Sequence, residues 1–210
     1  MAKITGSKFD MYDESDEKAV TYRDCVASVL DNEEVTKLGG YKHHHFTTRL
    51  QHSMNVSYYS YSVCKFLGWD YRSAARAGLM HDLYFFENTS VDENGRKLLE
   101  DHPFKALENS ERLFELNDIE RDAIVNHMWP IQCISRPRFK ESMAVSFSDK
   151  FCAVMEATSG ASCFVAKKAA LKVEDMRYAA VRRKRNAFTR FNVMYGTATN
   201  ALKVAWNFIV

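Results

Sequence analysis

A histidine followed directly by an aspartate, His81-Asp82, comes at the end of the run Ala74-Ala75-Arg76-Ala77-Gly78-Leu79-Met80. At helical spacing His81 falls in line with Ala74, Gly78 and Phe85, and Asp82 with Ala75, Leu79 and Phe86. Both polar side chains thus belong to a mostly buried surface, where a charged carboxylate needs a partner. An imidazole and a carboxylate side by side, aimed into a core, are the start of a metal site. The small residues one and two turns earlier let other helices come close.

Further ligand types sit at comparable positions. The histidines are His43, His44, His45, His52, His81, His102 and His127. His52 lies on the stripe His52-Val56-Tyr59-Val63-Phe66, the spacing of a buried helix face. His127 follows Ala123 and Ile124 on the same face of another helix, and His102 stands before Pro103 at a helix start. Asp149 shares a stripe with Ser142, Val145, Cys152 and Ala153. One buried histidine is ordinarily a hydrogen-bonded core residue. Three histidines and an aspartate arranged around a His-Asp pair point to metal binding.

The ordered set Arg49-x-x-His52, His81-Asp82, His102, His127 and Asp149-Lys150 resembles the HD-domain superfamily of metal-dependent phosphohydrolases. The likeness covers about residues 45–158, with wider similarity at Leu67-Gly68-Trp69-Asp70-Tyr71-Arg72-Ser73 and His127-Met128-Trp129-Pro130 to a bacterial subgroup of HD-domain proteins. The order is similar to that of the six-ligand, two-metal branch, which includes dinucleoside tetraphosphate hydrolases and cyclic-dinucleotide phosphodiesterases. The resemblance implies that His52, His81, Asp82 and Asp149 hold one metal. Asp82 then bridges to a second, which also takes His102 and His127. Mixed imidazole and carboxylate ligands suit iron, manganese, zinc or cobalt.

The reaction implied is hydrolysis of a phosphate ester or anhydride, of a nucleotide or dinucleotide, by a hydroxide bridging the metals. Arg49 and Lys150 are placed in sequence to meet the phosphate, or alternatively to form ion pairs with Asp82 or Asp149. Lys105, one turn beyond His102, and Arg136, Arg138 and Lys140, after the His127 loop, are candidate substrate cations at the entrance, which favours a polyphosphate. Two other readings share the ligand set: a metal-binding nucleotide sensor without turnover, and a di-iron oxygenase of the same superfamily, whose extra signature residues are missing here.

The elements that must position these residues read as helices throughout. The expected fold is an all-α, HD-domain-like bundle, a single domain over 1–210 with a metal-binding core at about 45–158 and a helical extension at about 161–210. Residues 1–11 read as a loosely fixed terminus, and 14–31 as an acid-rich amphipathic helix. Gly39-Gly40 breaks the chain; His43-His44-His45 then lie in the loop leading into a helix over 47–67, an entrance segment to the site whose histidines are solvated or reach a bound phosphate, and that helix is capped by Thr47 or Thr48 and ended by Gly68. A helix capped by Asp70 carries His81-Asp82. The polar segment 87–101, with a turn at Asn94-Gly95, lies across the mouth of the site, as a lid or a plain connection. Helices follow from His102 to about Leu116, from a capping box at Asn117-x-x-Glu120, and over 140–158.

Composition narrows the classes. At 210 residues, 46% hydrophobic, 27% charged and a net charge of +2, the chain has the character of a soluble globular protein. No signal sequence or membrane-spanning run is visible. Cys25, Cys64, Cys133, Cys152 and Cys163 are scattered and odd in number, which suits a reducing cytoplasm. Cys152, one turn from Asp149, reads as core packing with a soft metal ligand as the alternative. Residues 167–190, densest at Arg182-Arg183-Lys184-Arg185, form a basic stretch. It is a nucleic-acid patch without an aromatic platform, or a partner for the acidic N-terminal helix within the chain or across a homodimer.

Overall fold

Thr48 starts the helix that carries His52. Its side chain accepts a hydrogen bond from Gln51 N, and the helix runs over Arg49–Leu67 until Gly68 ends it with a left-handed φ of 67°. This and every other element comes from a computed structural model, which describes residues 4–43, 47–93, 95, 97–131 and 135–159. In chain order the α-helices are α1 (Glu17–Leu30), α2 (Glu33–Thr36), α3 (Arg49–Leu67), α4 (Tyr71–Met80), α5 (His102–Leu113), α6 (Asp118–Asn126) and α7 (140–159). Short 3-10 turns occupy Lys37–Gly40 and Leu98–Asp101. The fold is all-α: among the described residues β-pairing is limited to the isolated bridges Lys42–Thr48 and Val91–Lys97.

Helix boundaries follow local chemistry. Asp16, Asn32 and Asp70 each cap a helix with a carboxylate or amide oxygen. Asn117 and Glu120 form a reciprocal capping box on α6. Pro103 occupies the first turn of α5, where its missing N–H costs nothing.

Helix α4 is the centre of the bundle, packed against α3, α6, α1 and α5. Gly78 sets the α3–α4 approach. A Cβ built there would lie 2.8 Å from Ser57 Cα and 2.9 Å from Ser57 N, so any side chain would push the helices apart. Ser57 completes the crossing by donating to Ala75 O at 2.7 Å. Leu79 and Met80 are fully buried, each burial contributing about 1.5–3 kcal/mol. This close crossing places His52 and His81 beside each other.

Two expectations differ from the structure. Within the N-terminal segment, residues 4–11 are fixed rather than loose. Ile4, Phe9 and Met11 are buried, Phe9 stacks on Tyr58 at 4.2 Å, and Thr5 N donates to Asn55 Oδ1 at 3.1 Å. Few turns of regular structure mark this stretch, so its sequence shows no period, yet its apolar side chains find the Tyr22–Tyr58–Tyr61 cluster. The buried stripe of α3 also does not extend to its end: Val63 and Phe66 are exposed, Phe66 by 88%. The helix instead buries Tyr61 and the small hydroxyls of Ser53, Ser57 and Ser60, Ser57 lying at the close crossing with α4.

The chain divides into two compact units, Met1–Gly160 and Ala161–Val210. The basic stretch 167–190, the helical extension expected at about 161–210 and Cys163 lie outside the described residues, as do His44, His45, Asn94 and Cys133. Cys25, Cys64 and Cys152 are buried free thiols. No helix among the described residues is long and apolar enough to cross a membrane.

Candidate metal centre

His81 and Asp82 do not lie inside their helix. α4 ends at Met80, His81 is its C-cap, and Asp82 follows in the turn. His127 is likewise the C-cap of α6, and His102 opens α5. Each helix end thus presents an imidazole at a point where the backbone changes direction.

The three rings share one arrangement. Nδ1 of His81 donates to Gly78 O at 2.8 Å, Nδ1 of His102 to Leu99 O at 2.6 Å, and Nδ1 of His127 to Ile124 O at 2.7 Å. A carbonyl only accepts, so each Nδ1 carries the proton and each Nε2 offers a lone pair inward. His52 reaches the same end by another route. Its Nδ1 lies 3.1 Å from both carboxylate oxygens of Glu156, and its Nε2 lies 3.0 Å from Asp149 Oδ1. A backbone carbonyl or carboxylate behind a histidine is the arrangement that orients metal-binding imidazoles.

These nitrogens converge on Asp82. Its Oδ1 is 3.4 Å from His102 Nε2 and 3.7 Å from His127 Nε2. Its Oδ2 is 3.7 Å from His81 Nε2 and 3.7 Å from His43 Nδ1. Asp149 Oδ1 lies 3.8 Å from His81 Nε2. Asp82 Oδ1 and His81 Nε2 are buried with no hydrogen-bond partner, a costly state that a cation would relieve. Three overlapping groups can hold a metal ion: His43, His52 and Asp82; His52, His81 and Asp149; and His81, Asp82 and His127.

The electrostatics agree with a cation-binding pocket. Burial pushes the Asp82 carboxyl up, but His81, His102, His43 and His127 outweigh it and hold the group well below the ordinary carboxylate range. Asp149 behaves alike: burial is outweighed first by its hydrogen bond to His52. Burial, with His81 and His102 as neighbours, lowers His127 to about 3. His52 moves the other way, to about 10, because hydrogen bonds to Asp149 and Glu156 overcome its burial.

The expected phosphate-side residues fare differently from the ligands. Lys150 lines the cavity and donates to Asp149 Oδ2 at 3.1 Å and to the His127 carbonyl. Arg49 is fully buried and pairs with neither Asp82 nor Asp149. Its guanidinium donates to Tyr84 O at 2.7 Å, Phe86 O at 3.1 Å and Asn88 Oδ1 at 3.0 Å, and lies 3.6 Å from the Tyr84 ring centroid. It fixes the loop that follows His81-Asp82. Lys105 is drawn to Glu108 at 2.7 Å and Arg138 to Asp122 at 3.0 Å, and neither joins the cavity lining. One turn of helix gave Lys105 the right height but not the right face, and the buried Asp122 carboxylate holds Arg138 elsewhere.

Two residues were not anticipated among the ligand cluster: Glu156, and His43, expected only in the entrance segment. Glu156, buried by α7, also accepts from Asn55 Nδ2 at 2.7 Å and Thr47 Oγ1 at 3.1 Å. Its spacing of seven from Asp149, two helical turns, is a sequence signal that points to it. His43 stacks on His52 with ring centroids 3.9 Å apart; only tertiary contact reveals that. The cavity encloses about 260 Å³ beside Asp82, with Tyr84, Leu99, Met128 and Ile131 among its walls.

No family model matches the chain, and neither a curated protein nor a solved structure does.

The centre therefore stands on its own geometry. Imidazole nitrogens and carboxylate oxygens converge from α3, α7, both ends of the α4–α5 connection and the end of α6. This donor set could hold a metal ion.

Proposed function

We propose that the protein is a metal-dependent phosphohydrolase of the HD-domain type, acting on a small phosphate ester or anhydride such as that of a nucleotide. The observation that carries this reading is Asp82: a buried carboxylate whose two oxygens face different histidines. With metal bound, Asp82 would be shared between two cations, His52, His81 and Asp149 holding one and His102 and His127 the other. The metals favoured by the ligands are iron, manganese, zinc or cobalt.

When bound, such cations supply Lewis acidity toward phosphoryl oxygens and acidify a water. The chain's own residues do the rest. Asp149 and the His127 carbonyl hold Lys150 Nζ at the cavity wall, where it can donate to a phosphoryl oxygen. Arg49 supports the reaction indirectly, by fixing the turn that presents Asp82. Tyr84, Leu99 and Met128 limit water around the reacting group. Among the described lining residues Lys150 is the one lysine or arginine.

Metal analysis of the purified protein, followed by a substrate screen with each metal restored, tests the reading. A nucleoside monophosphate, a cyclic nucleotide and a dinucleoside polyphosphate should be compared under one condition. Phosphate-ester or anhydride cleavage that Asp82→Ala and Lys150→Ala both abolish or sharply reduce is expected. Metal-loaded protein that turns over none of them would leave a nucleotide sensor; oxygen uptake with a polyol would leave an oxygenase.

A further inference from the structure

We infer that His43, delivered by the loop in front of α3, is an additional ligand of the metal centre, completing the side of the site that His52 and Asp82 leave toward the cavity. This rests on the metal-binding reading above and extends it beyond the six residues that the sequence order supplies.

The chain brings His43 there by backbone pairing. His43 N donates to Thr47 O at 3.0 Å and Arg49 N to Tyr41 O at 2.9 Å, around the bridge between Lys42 and Thr48. The arm is thereby tied to the residue that caps α3, so His43 is held at a fixed height above His52. Its ring lies nearly parallel to that of His52, at 24° and 3.9 Å. Its Nδ1 is 3.7 Å from Asp82 Oδ2, the same distance as His81 Nε2 from that oxygen. Ligand atoms of His43, His52 and Asp82 all lie within 4.8 Å of one another. The His43 side chain is only 12% exposed and forms part of the cavity wall.

A stacked pair of imidazoles is common as plain packing. Two features argue for more. The nitrogen of His43, rather than ring carbon, approaches the buried Asp82 carboxylate. The oxygen it approaches is the one opposite His102 and His127, so His43 and His81 balance on Oδ2 what those two supply on Oδ1. Because this ligand comes from a loop and not from the helical bundle, it is the member of the set whose removal should leave the fold intact.

The test uses the full chain, stripped of metal and titrated with cobalt(II) and zinc(II) against a chromophoric chelator. Wild type, Asp82→Ala, His43→Ala and His43→Phe are compared, with circular dichroism as the check on folding. His43→Phe keeps an aromatic face against His52 but has no ring nitrogen. The expected result is metal uptake by wild type and its loss in Asp82→Ala. Both His43 variants should bind one ion roughly tenfold or more weaker and show an altered visible cobalt spectrum. Wild-type affinity and spectrum in both His43 variants would overturn the inference while leaving the metal centre standing. So would wild-type behaviour in His43→Phe alone, since stacking would then explain the His43→Ala defect. Failure of wild type itself to take up metal would overturn the centre and this ligand together.

Discussion

His102 Nε2 and His127 Nε2 face each other at 2.9 Å. Each ring has already committed its Nδ1 proton to a backbone carbonyl, so two lone pairs meet in a buried space. Only a proton or a cation between or beside them reconciles that contact, and burial with its histidine neighbours disfavours the proton on His127.

Replacing His102 or His127 by Ala should therefore remove one metal equivalent and leave another bound by His52, His81, Asp82 and Asp149. Equilibrium dialysis with elemental analysis reads the stoichiometry. If wild type binds a single equivalent at saturation and either substitution leaves it unchanged, the paired histidines serve some other purpose.

Metal should stabilise the fold. With free zinc or manganese about 100-fold above its dissociation constant, the linkage is about 2.7 kcal/mol per site, and a chelator should lower the melting temperature accordingly. In Asp82→Ala the melting temperature should no longer respond to either addition.

Glu156 should act through His52. Glu156→Gln keeps the size of the side chain but weakens the grip on Nδ1, and metal affinity should fall by about 10–100-fold. Glu156→Ala also leaves Asn55 and His52 short of a buried partner, at a stability cost of about 1–3 kcal/mol. Isothermal titration and urea denaturation separate the two effects. An unaltered affinity in Glu156→Gln would confine Glu156 to packing.

Metal uptake should release protons near neutral pH. His52 is raised from 6.5 to about 10 by its two carboxylate partners against the opposing effect of burial. Between those values the metal-free folded state holds a proton that the unfolded chain lacks. Its contribution to stability is thus complete below 6.5 and is lost as pH rises toward 10. A metal on Nε2 displaces that proton. Titration in buffers of different ionisation enthalpy should show proton release at pH 7–8, and the metal-free protein should melt at progressively lower temperature from pH 7 to 10.

Arg49 should prove to be a stability residue. Arg49→Ala removes the side-chain donor to the buried Tyr84 carbonyl and the Phe86 carbonyl and leaves Asn88 Oδ1 with the Tyr84 hydroxyl alone, and should cost about 3 kcal/mol. Arg49→Lys should recover only part of it, because one ammonium cannot span the three acceptors. A variant with normal melting and a selectively raised KM would instead place Arg49 at the substrate.

The sequence by itself determined the all-α fold, because helical periodicity, caps at Thr48, Asp70 and Asn117, and the stop at Gly68 are local properties that α3, α4 and α6 realise, although α4 and α6 end just before His81 and His127. It also marked the six residues whose side chains converge around Asp82, since a polar group on an apolar stripe must find company in the core. Tertiary structure decided the rest. Which atom of each imidazole faces inward depended on carbonyls at helix ends and on Glu156, a residue 104 positions from His52. The partners of Arg49 and Arg138 were not legible in the sequence, because a long charged side chain goes to its strongest partner within reach, and the Tyr84 and Phe86 carbonyls and Asp122 are that only in three dimensions, whereas Lys105 takes Glu108 one turn away on its own helix. His43 joined the centre, and residues 4–11 the core, because backbone pairing and shape complementarity act between segments whose own sequences carry no period to announce them.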